Sequence, residues 1–542
     1  MFLPMTKKEM NTLGWERLDV ILVSGDAYID SPFSGVALIG KSLLAAGYKV
    51  GVISQPLTGD DIMQLGVPNL YWGVTAGLTD SLVANYTASG KLRRSCDFTP
   101  GGENNKRPDR ATIVYTNLIK QHSKEKKPIV LGGIEASLRR LTHYDLLKEK
   151  LLRPLLFDSK ADFLIYGQGE IPAVMLAKGE PTTSIPNLCY IAKEAPEGAV
   201  IYPSYEECIA DKDTFGAFFK EFYADSSTLT RNITAQRCGD RFLIQNPAHI
   251  MTSAELDKIH EADFERAVHP YDLQKGAVRG AETTKNSISA HRGCFGECSF
   301  CAISVHQGRM VTSRSEASII NEAQRLKGTI SDVGGATANM YGSECALMKR
   351  GTPCKDKSCL YPTPCPTLAN SQKRYVELLA KLRGIAGIKK IFIASGIRCD
   401  MAIHDKNYGS KFIQDLAKHH TGGQIKLAPE HSDQSVLDYM GKSSMRYFEE
   451  FAERFMQISR QEGKKQFITC YFMAAHPGCT MNSMDRLKRY IKAHLGFTPE
   501  QVQIFTPTPS TWSTCMYYTG KDKEGKSVYV AKGKERNEQK DI

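Results

Sequence analysis

The stretch HRGCFGECSFC, residues 291–301, carries three cysteines at the spacing C-x3-C-x2-C. The thiolates of Cys294, Cys298 and Cys301 can each hold one iron of a cubane iron–sulfur cluster. The fourth iron then has no protein ligand, and an open coordination position is what a metal centre needs to react with a bound molecule. The spacing therefore predicts a cluster that takes part in chemistry.

This cysteine stretch follows the first of six strand candidates in the C-terminal half of the chain. Helix-like stretches, for example residues 315–326 and 372–382, lie between the candidates. Parallel β/α units of this kind form an open or partial barrel, in which catalytic groups lie on the loops after the strands. We therefore expect a partial (β/α)6 barrel over residues 286–520, with the cysteines on its catalytic face. The strand candidates are residues 286–291, 329–334, 389–396, 424–428, 466–474 and 502–505.

The N-terminal part also alternates strand and helix signals. Short apolar runs such as residues 19–24 and 161–166 are each followed by a glycine. This alternation predicts an α/β fold with a Rossmann-like, doubly wound parallel sheet over residues 1–180. The less regular residues 181–285 predict a connecting region of the N-terminal half. The charged residues 521–542 predict a solvated, frayed C-terminal tail.

The composition excludes several classes of protein. The chain has 542 residues, of which 42% are hydrophobic and 24% charged, and its formal net charge is +11. No apolar run approaches the roughly 18 residues of a membrane span and no signal peptide is evident, so we expect a cytoplasmic protein without a membrane partner. No RNA-binding module is recognisable, so nucleic acid is not an expected partner. Seven of the 15 cysteines lie between Cys294 and Cys365, which favours metal binding over disulfides.

The cluster motif and its surroundings resemble the radical S-adenosylmethionine (SAM) superfamily. Phe300 precedes the last cysteine and an Arg-Gly pair precedes the first, as in many members. Over almost the whole chain, further stretches are similar to the YgiQ family of radical SAM proteins. These stretches are CAI (301–303), HQGR (306–309), SRS (313–315), DVGGATANM (332–340), LAPEH (427–431), HPGCT (476–480) and FTPTP (505–509).

The resemblance implies a radical SAM enzyme with one 4Fe–4S cluster on Cys294, Cys298 and Cys301. SAM would bind the open iron, and a flavodoxin- or ferredoxin-like partner would supply an electron. Reductive cleavage of SAM would then give methionine and a 5′-deoxyadenosyl radical, which abstracts hydrogen from a substrate. The sequence does not identify that substrate or the outcome of the reaction.

The resemblance also implies residues that contact SAM. Phe300 would pack near the adenine, and Ser395 would hydrogen-bond the ribose. The guanidinium of Arg398 suits the planar carboxylate of SAM, unless it only orders the barrel rim. Glu430, followed by His431 at the end of the fourth strand, would contact SAM or the substrate.

Two glycines after the second strand complete this set. Backbone carbonyls of Gly334 and Gly335 would face the amino group of SAM, although Ala336 follows them where many members of the superfamily have glutamate. A simple glycine turn is the alternative. Arg309, close after the cluster motif, would favour the reduced and more negative cluster by electrostatics.

A second group of cysteines lies in a proline-containing segment of loop composition. Cys345, Cys354, Cys359 and Cys365 form a possible second metal site, for zinc or for an auxiliary iron–sulfur cluster that staples the loop. The alternative is four reduced cysteines that pack as small apolar groups.

Two further hypotheses stay open at this stage. The N-terminal half resembles the cobalamin-binding domain of some radical SAM enzymes but lacks their D-x-H-x-x-G segment, so cobalamin is possible and not favoured. With cobalamin or an auxiliary cluster as carrier, the reaction would be methyl or methylthio transfer to RNA or protein. A non-catalytic iron–sulfur redox or sensor protein is the remaining alternative, although pure electron carriers usually have every iron bound by the protein.

Overall fold

The computed structural model describes residues 1–226, 232–351, 354, 358–495 and 502–540. The chain divides into two compact units. The first unit consists of Met1–Ile250 and Lys258–Lys285, and the second of Met251–Asp257 and Asn286–Ile542.

The first unit is built on one large sheet with helices between its strands. The strands are β1 (Val20–Ser24), β2 (Ile29–Asp30), β3 (Val50–Ser54), β4 (Tyr71–Thr75), β5 (Ile129–Gly132), β6 (His143–Asp145), β7 (Lys150–Leu152), β8 (Phe163–Ile165), β9 (Leu188–Ala192), β10 (Val200–Tyr202), β11 (Thr234–Cys238), β12 (Arg241–Gln245) and β13 (Ala267–Val268). The helices are α1 (Lys7–Thr12), α2 (Gly35–Ala45), α3 (Gly59–Met63), α4 (Ser81–Asn85), α5 (Ala111–His122), α6 (Gly133–Leu138), α7 (Leu155–Ser159), α8 (Glu170–Ala177), α9 (Tyr205–Ala210), α10 (Lys212–Asp225), α12 (Pro270–Leu273) and α13 (Gly280–Thr284), while α11 (Ser253–His260) begins in the second unit and ends in the first.

Five parallel strands form the central part of this sheet, in the order β3-β1-β4-β5-β8. Strands β1 and β3 read VILVS and VGVIS and are buried throughout, as expected where helices cover both faces. This is the doubly wound order in which the direction of winding reverses between β1 and β4. The predicted α/β class and the parallel sheet are therefore confirmed. Strands β9, β12, β11 and β10 extend the same sheet beyond β8, mainly by antiparallel pairing.

The second unit has shorter strands that alternate with longer helices. Its strands are β14 (Ser287–Ser289), β15 (His291–Arg292), β16 (Thr312–Ser313), β17 (Gly328–Ile330), β18 (Asp332–Gly334), β19 (Glu344–Cys345), β20 (Leu368–Ala369), β21 (Ile388–Ile391), β22 (Gln424–Glu430), β23 (Phe467–Ala474) and β24 (Val502–Ile504). Its helices are α14 (Ile303–Gln307), α15 (Glu316–Arg325), a 3₁₀ helix (Ala338–Met340), α16 (Ala346–Lys349), α17 (Lys373–Arg383), α18 (Cys399–His404), α19 (Gly409–Asp415), a π-helix (Leu416–His420), α20 (Gln434–Met440), α21 (Arg446–Gln461), α22 (Met481–His494), α23 (Trp512–Thr519) and α24 (Glu535–Glu538).

Strands occur at all six places where the sequence predicts them in this unit. The pairings β14–β18, β17–β21, β22–β23 and β23–β24 are all parallel. Within the described residues these pairs form separate hydrogen-bonded ladders, so closure into a (β/α)6 barrel stays a prediction.

Amphipathic helices cover these strands and bury the core of the unit. Helix α21 places Tyr447, Phe448, Phe451 and Phe455 on one face, at the spacing of a helix that packs on a sheet. The four aromatic side chains join a buried cluster with residues of β22 and β23, such as Leu427. The long helix therefore fixes the strands whose ends carry the candidate site.

The charged C-terminal tail is not frayed, contrary to the expectation from its composition. Lys521 and Ser527 form an antiparallel bridge. The buried side chain of Gln539 accepts from the backbone N–H of Ala475 at 2.8 Å and donates to the carbonyl of Cys479 at 3.0 Å. These bonds hold the tail at the carboxyl end of β23 because the loop there leaves backbone groups free to pair.

The search for membrane-crossing segments covered every described residue. None of the described helices is both long enough and apolar enough to cross a membrane.

Candidate active site

The cysteine stretch forms a tight loop whose base is the antiparallel pair β15–β16. The N–H of Cys294 donates to the carbonyl of Gly308 at 3.2 Å, which closes the loop. Gly293 has a φ of +86°, and a Cβ there would overlap the carbonyl oxygen of Met310. Only glycine fits this position, which gives the Arg-Gly pair before the first cysteine a physical reason.

Two of the three thiols lie close to Gly296. A Cβ added at Gly296 would lie 3.2 Å from Cys294 Sγ, 3.8 Å from Cys298 Sγ and 3.4 Å from an Nη of Arg398. Cys301 follows in the same turn, where its N–H donates to the carbonyl of Cys298 at 2.9 Å. All three cysteines are partly exposed. One loop thus supplies three thiols, the ligand type of an iron–sulfur cluster.

Burial disfavours the charged form of two of the thiols, those of Cys294 and Cys301. Burial raises the pKa of Cys294, and burial together with the nearby Cys298 raises the pKa of Cys301 to about 12. A coordinated thiol is deprotonated outright by the charge of the metal. Within the described ranges, no three Cys, His, Asp or Glu side chains converge on a point that could hold a single ion.

Arg398 lies beside the thiols and is held there by a buried carboxylate. One Nη donates to Cys298 Sγ at 3.6 Å, while Nε donates to Asp400 at 2.9 Å and the other Nη forms an ion pair with the same carboxylate. The side-chain amide of Asn339 exchanges two hydrogen bonds, at 2.9 and 3.0 Å, with the backbone of Arg398. Although burial opposes the charge, Asp400 and Cys298 raise the pKa of Arg398, so the guanidinium stays charged.

The predicted ribose contact lies where β18 and β21 end. The hydroxyl of Ser395 donates to Asp332, and Asp332 also accepts from the N–H groups of Ser395 and Ala394 at 3.0 and 2.8 Å. Burial raises the pKa of Asp332. Because its proton is given to Asp332, the Ser395 oxygen can accept a further hydrogen bond but cannot donate one.

The two predicted glycines lie beside this pair, and each packs against a different side chain. A Cβ at Gly334 would collide with the Ser395 hydroxyl, and one at Gly335 would lie 2.7 Å from His291 Nε2. The carbonyl of Gly334 accepts from Ala290 N at 2.6 Å, which joins β18 to β14. Gly334 thus brings Ser395 close to the strand, and its carbonyl, which the sequence predicts to face the amino group of SAM, is bonded within the sheet.

Glu430 ends β22 and forms an ion pair that the sequence did not reveal. It has a φ of +69°, and its carboxylate lies 3.5 Å from Lys442 Nζ. Burial raises the pKa of Glu430, while Lys442 and Arg398 oppose that rise. Glu430 also contributes to the raised pKa of Cys301, so its carboxylate lies close to the cysteine loop. The LAPEH motif signals Glu430, but nothing in the sequence pairs it with Lys442.

His431 turns away from Glu430. Its Nδ1 accepts from the N–H of Asp433 at 2.9 Å, and its Nε2 lies 3.7 Å from Cys479 Sγ. Both side chains are fully buried, and burial lowers the pKa of His431 to about 4. His431 and Cys479 therefore pack against each other as neutral groups.

Phe300 packs on a buried histidine. The Phe300 ring makes an edge contact with His476, with centroids 6.2 Å apart, and His476 contacts Phe505 in the same way at 5.3 Å. His476 Nδ1 lies 2.8 Å from the carbonyl of Pro477, so it carries the proton, and Nε2 accepts from the Ser513 hydroxyl at 2.6 Å. Burial lowers the pKa of His476 to about 3, so this wall of the site is uncharged at neutral pH.

Arg309 forms a buried ion pair with Glu297 inside the cysteine loop. Glu297 has a φ of +45°, an unusual conformation for a residue with a side chain. The charge of Arg309 is thus largely offset by its partner.

The second cysteine group is only partly described. Cys345, Cys359 and Cys365 belong to one apolar cluster that also contains Phe295 and Cys294. The N–H of Cys365 donates to the carbonyl of Cys359 at 2.8 Å, and burial, followed by nearby charges, raises the pKa of Cys359 to about 12. Residues 352–353 and 355–357, which flank Cys354, lie outside the described residues, so a second metal site stays a prediction.

In the first unit, side chains lie at the place where a sheet of this topology would bind a ligand. By its strand order, this sheet would bind a ligand between the carboxyl ends of β1 and β4. There the N–H of Gly25 donates to the carbonyl of Thr75 at 3.1 Å, and Asp26 accepts from the N–H of Leu78 at 2.7 Å. The buried guanidinium of Arg107 pairs with Asp26 and donates to the carbonyl of Gly25 at 3.2 Å. The residues present therefore do not fit a cobalamin at this crevice.

Comparisons with known proteins agree with this arrangement. The family model described as Radical SAM N-terminal matches residues 2–287. UPF0313 protein FN0734 of Fusobacterium nucleatum is 50% identical to this chain, over 100% of the chain and 98% of that protein. A UPF0313 protein of Thermotoga maritima is 45% identical, again over 100% of this chain and 98% of that protein. The solved structure of the radical SAM methyltransferase TsrM from Kitasatospora setae, with cobalamin and a 4Fe–4S cluster bound, is similar in fold, with a TM-score of 0.51 and 14% identity over 92% of this chain and 78% of that chain. The chain thus belongs to the UPF0313 family, the YgiQ family of radical SAM enzymes.

Proposed function

We propose that the protein binds one 4Fe–4S cluster through Cys294, Cys298 and Cys301 and cleaves SAM reductively. The observation that carries this proposal is the convergence of two thiols and the charged Arg398 on Gly296, within the loop that also holds Cys301. Such a cluster would supply the electron that breaks a C–S bond of the SAM sulfonium, with methionine and a 5′-deoxyadenosyl radical as products.

Arg398 stabilises negative charge at the thiols. Its guanidinium is buried, where charges interact more strongly than in water. The bidentate pairing with Asp400 holds the guanidinium in one orientation and leaves one Nη directed at Cys298. We therefore propose that Arg398 acts on the cluster through its contact with Cys298. A pairing of Arg398 with the SAM carboxylate would use the N–H groups that are not bonded to Asp400 or Cys298.

The strand ends provide polar groups that match those of SAM. Ser395 accepts a hydrogen bond from a ribose hydroxyl because its own proton is given to Asp332. Glu430 accepts from the amino group of SAM, next to Cys301. The carbonyl of Gly335 stays the proposed second acceptor for the same group, because that of Gly334 is bonded to Ala290 N.

The aromatic wall excludes water from the reactive centre. Phe300 and the neutral His476 present apolar surface next to the cysteine loop, in line with a contact of Phe300 with adenine. A dry site prevents side reactions of a reactive intermediate.

The proposed reaction uses no cobalamin, because Asp26 and Arg107 fill the crevice of the N-terminal sheet. Transfer of a methyl or methylthio group to RNA or protein would need another carrier, and no observation in the described residues favours it. Electron supply by a flavodoxin- or ferredoxin-like partner remains part of the proposal, as does a substrate of unknown class.

Anaerobic reconstitution with iron and sulfide, followed by reduction with SAM present, tests this function. We expect 5′-deoxyadenosine from the wild type and none from Cys298→Ala. Cys238→Ala, which removes a buried cysteine of the first unit, is the matched control and keeps the activity. A bound cluster without SAM binding or cleavage would instead support a redox or sensor protein.

A further inference from the structure

A basic cavity lies at the opposite end of the same strands from the cysteine loop. Its volume is about 620 Å³, and its wall includes the residues just before β22 and β23 and the length of β21. The candidate active site lies at the carboxyl ends of these strands, and β22 alone spans about 20 Å. The cavity is therefore a separate site.

The wall of this cavity is strongly cationic and contains no acidic residue. Arg383 is offset by Asp415 at 3.7 Å and Lys418 by Glu462 at 2.8 Å. Among the described residues, no ion pair is formed by the other lysines of the wall. Its cationic residues are Arg383, Lys389, Lys390, Lys418, Lys464 and Lys465.

A β-bulge directs two of these lysines to the same side. Gly328 pairs with Ile388 and Thr329 pairs with Lys390, so Lys389 is an extra residue on β21. In a regular strand one of two consecutive side chains would point inward, but here Lys389 and Lys390 are both exposed. Two adjacent like charges repel each other, and a bound anion would offset this repulsion.

Two buried polar atoms of the wall have no partner. Thr421 and Gln466 are 8% and 4% exposed, and neither Thr421 Oγ1 nor Gln466 Oε1 forms a hydrogen bond with a described residue. Both atoms are themselves fully buried, so in this structure neither is exposed to the cavity and neither supplies a contact for a ligand.

An aromatic surface completes the cavity. Phe392 is half-buried and packs at Gly422, where an added Cβ would lie 3.5 Å from its ring. Flat aromatic rings favour stacking with a nucleobase. The volume is within the range of about 300–1,000 Å³ that is usual for small-molecule sites.

We propose that this cavity binds a nucleoside polyphosphate. Its phosphates contact Lys389, Lys390 and Lys465, and its base packs on Phe392. The site is independent of the cluster and of SAM cleavage.

Isothermal titration of the full-length protein with ATP, GTP and inorganic tripolyphosphate tests the proposal. The expected result is binding of all three, which Lys389→Ala/Lys390→Ala weakens about tenfold. The matched control, Lys488→Ala/Lys492→Ala on the exposed face of α22, leaves the affinity within about twofold. Phe392→Ala weakens nucleotide binding and spares tripolyphosphate.

Three results would overturn the proposal. They are no binding of any probe by the wild type, equal affinity of Lys389→Ala/Lys390→Ala and wild type, or a short single-stranded RNA that binds while the mononucleotides do not. Because the lysine pair is exposed and remote from the cysteines, the variant keeps the thermal stability and the SAM cleavage of the wild type. Loss of either would show that the lysines act on folding.

Discussion

Substitution of Gly296 by alanine gives the sharpest test of the proposed cluster site. Gly296 does not have a positive φ, so the backbone accepts alanine there, and the added methyl group acts only on its surroundings. That methyl group would lie 3.2 Å from Cys294 Sγ and 3.4 Å from the Arg398 guanidinium. Both contacts are a few tenths of an ångström too short, so the thiol and the guanidinium must shift.

Overpacking of this kind costs about 1–3 kcal/mol, which corresponds to a roughly 5- to 150-fold weaker cluster affinity. Because these contacts are those of the protein without metal, its unfolding temperature should fall by a few degrees, whereas the fixed thiols of the loaded site relax less and lose more. The assay is iron and sulfide content after anaerobic reconstitution, together with the unfolding temperature before it. Gly423→Ala, also without a positive φ and with nothing within 4 Å of the new methyl group, is the control.

If Gly296→Ala loads as much iron as Gly423→Ala, the convergence of the thiols on Gly296 has no role in cluster binding. A large loss of stability in the protein without metal would also contradict the reasoning, because it would place the effect in folding.

Three further predictions concern the surroundings of the site. Ser395→Ala removes one hydrogen-bond acceptor and should raise the KM for SAM about fivefold with little change in kcat, whereas an unchanged KM would exclude the ribose contact. Burial lowers the pKa of His420 to about 4, so the unfolded chain binds a proton first as the pH falls below 6.5. His420 alone should thus lower the free energy of unfolding by about 1.4 kcal/mol per pH unit between pH 6.5 and 4, other buried histidines such as His431 should add to this fall, and urea titrations of His420→Gln should show a smaller slope. Gln539→Ala leaves two backbone groups unpaired at the end of β23 and should speed proteolysis of the tail, while the exposed Glu538→Ala should not.

Sequence spacing was enough to predict the strand positions, and it also supplies the proposed cluster ligands. Both are local properties, because three cysteines within eight residues share one loop wherever it lies, and a strand shows its buried face in its own residues. The same is true of the glycine at 293, whose backbone conformation depends on its immediate neighbours.

Contacts between distant residues could not be predicted in the same way. Lys442 lies 12 residues after Glu430, and Asp332 lies 63 residues before Ser395. The tail residue Gln539 bonds to residues 64 and 60 positions earlier. Composition alone suggested a solvated tail, because the charges are visible in the sequence and the buried glutamine among them is not.

The sequence by itself thus determined the chemistry that the chain offers: three thiols, a glycine loop and two series of α/β units. Only the tertiary structure decided which groups meet. In the folded chain Arg398 pairs with Asp400 and Cys298, and Arg107 pairs with Asp26 in the crevice of the N-terminal sheet. Lysines from three separate stretches of the chain lie around one cavity. The physical reason is that burial and charge pairing depend on distances in space, which chain packing sets.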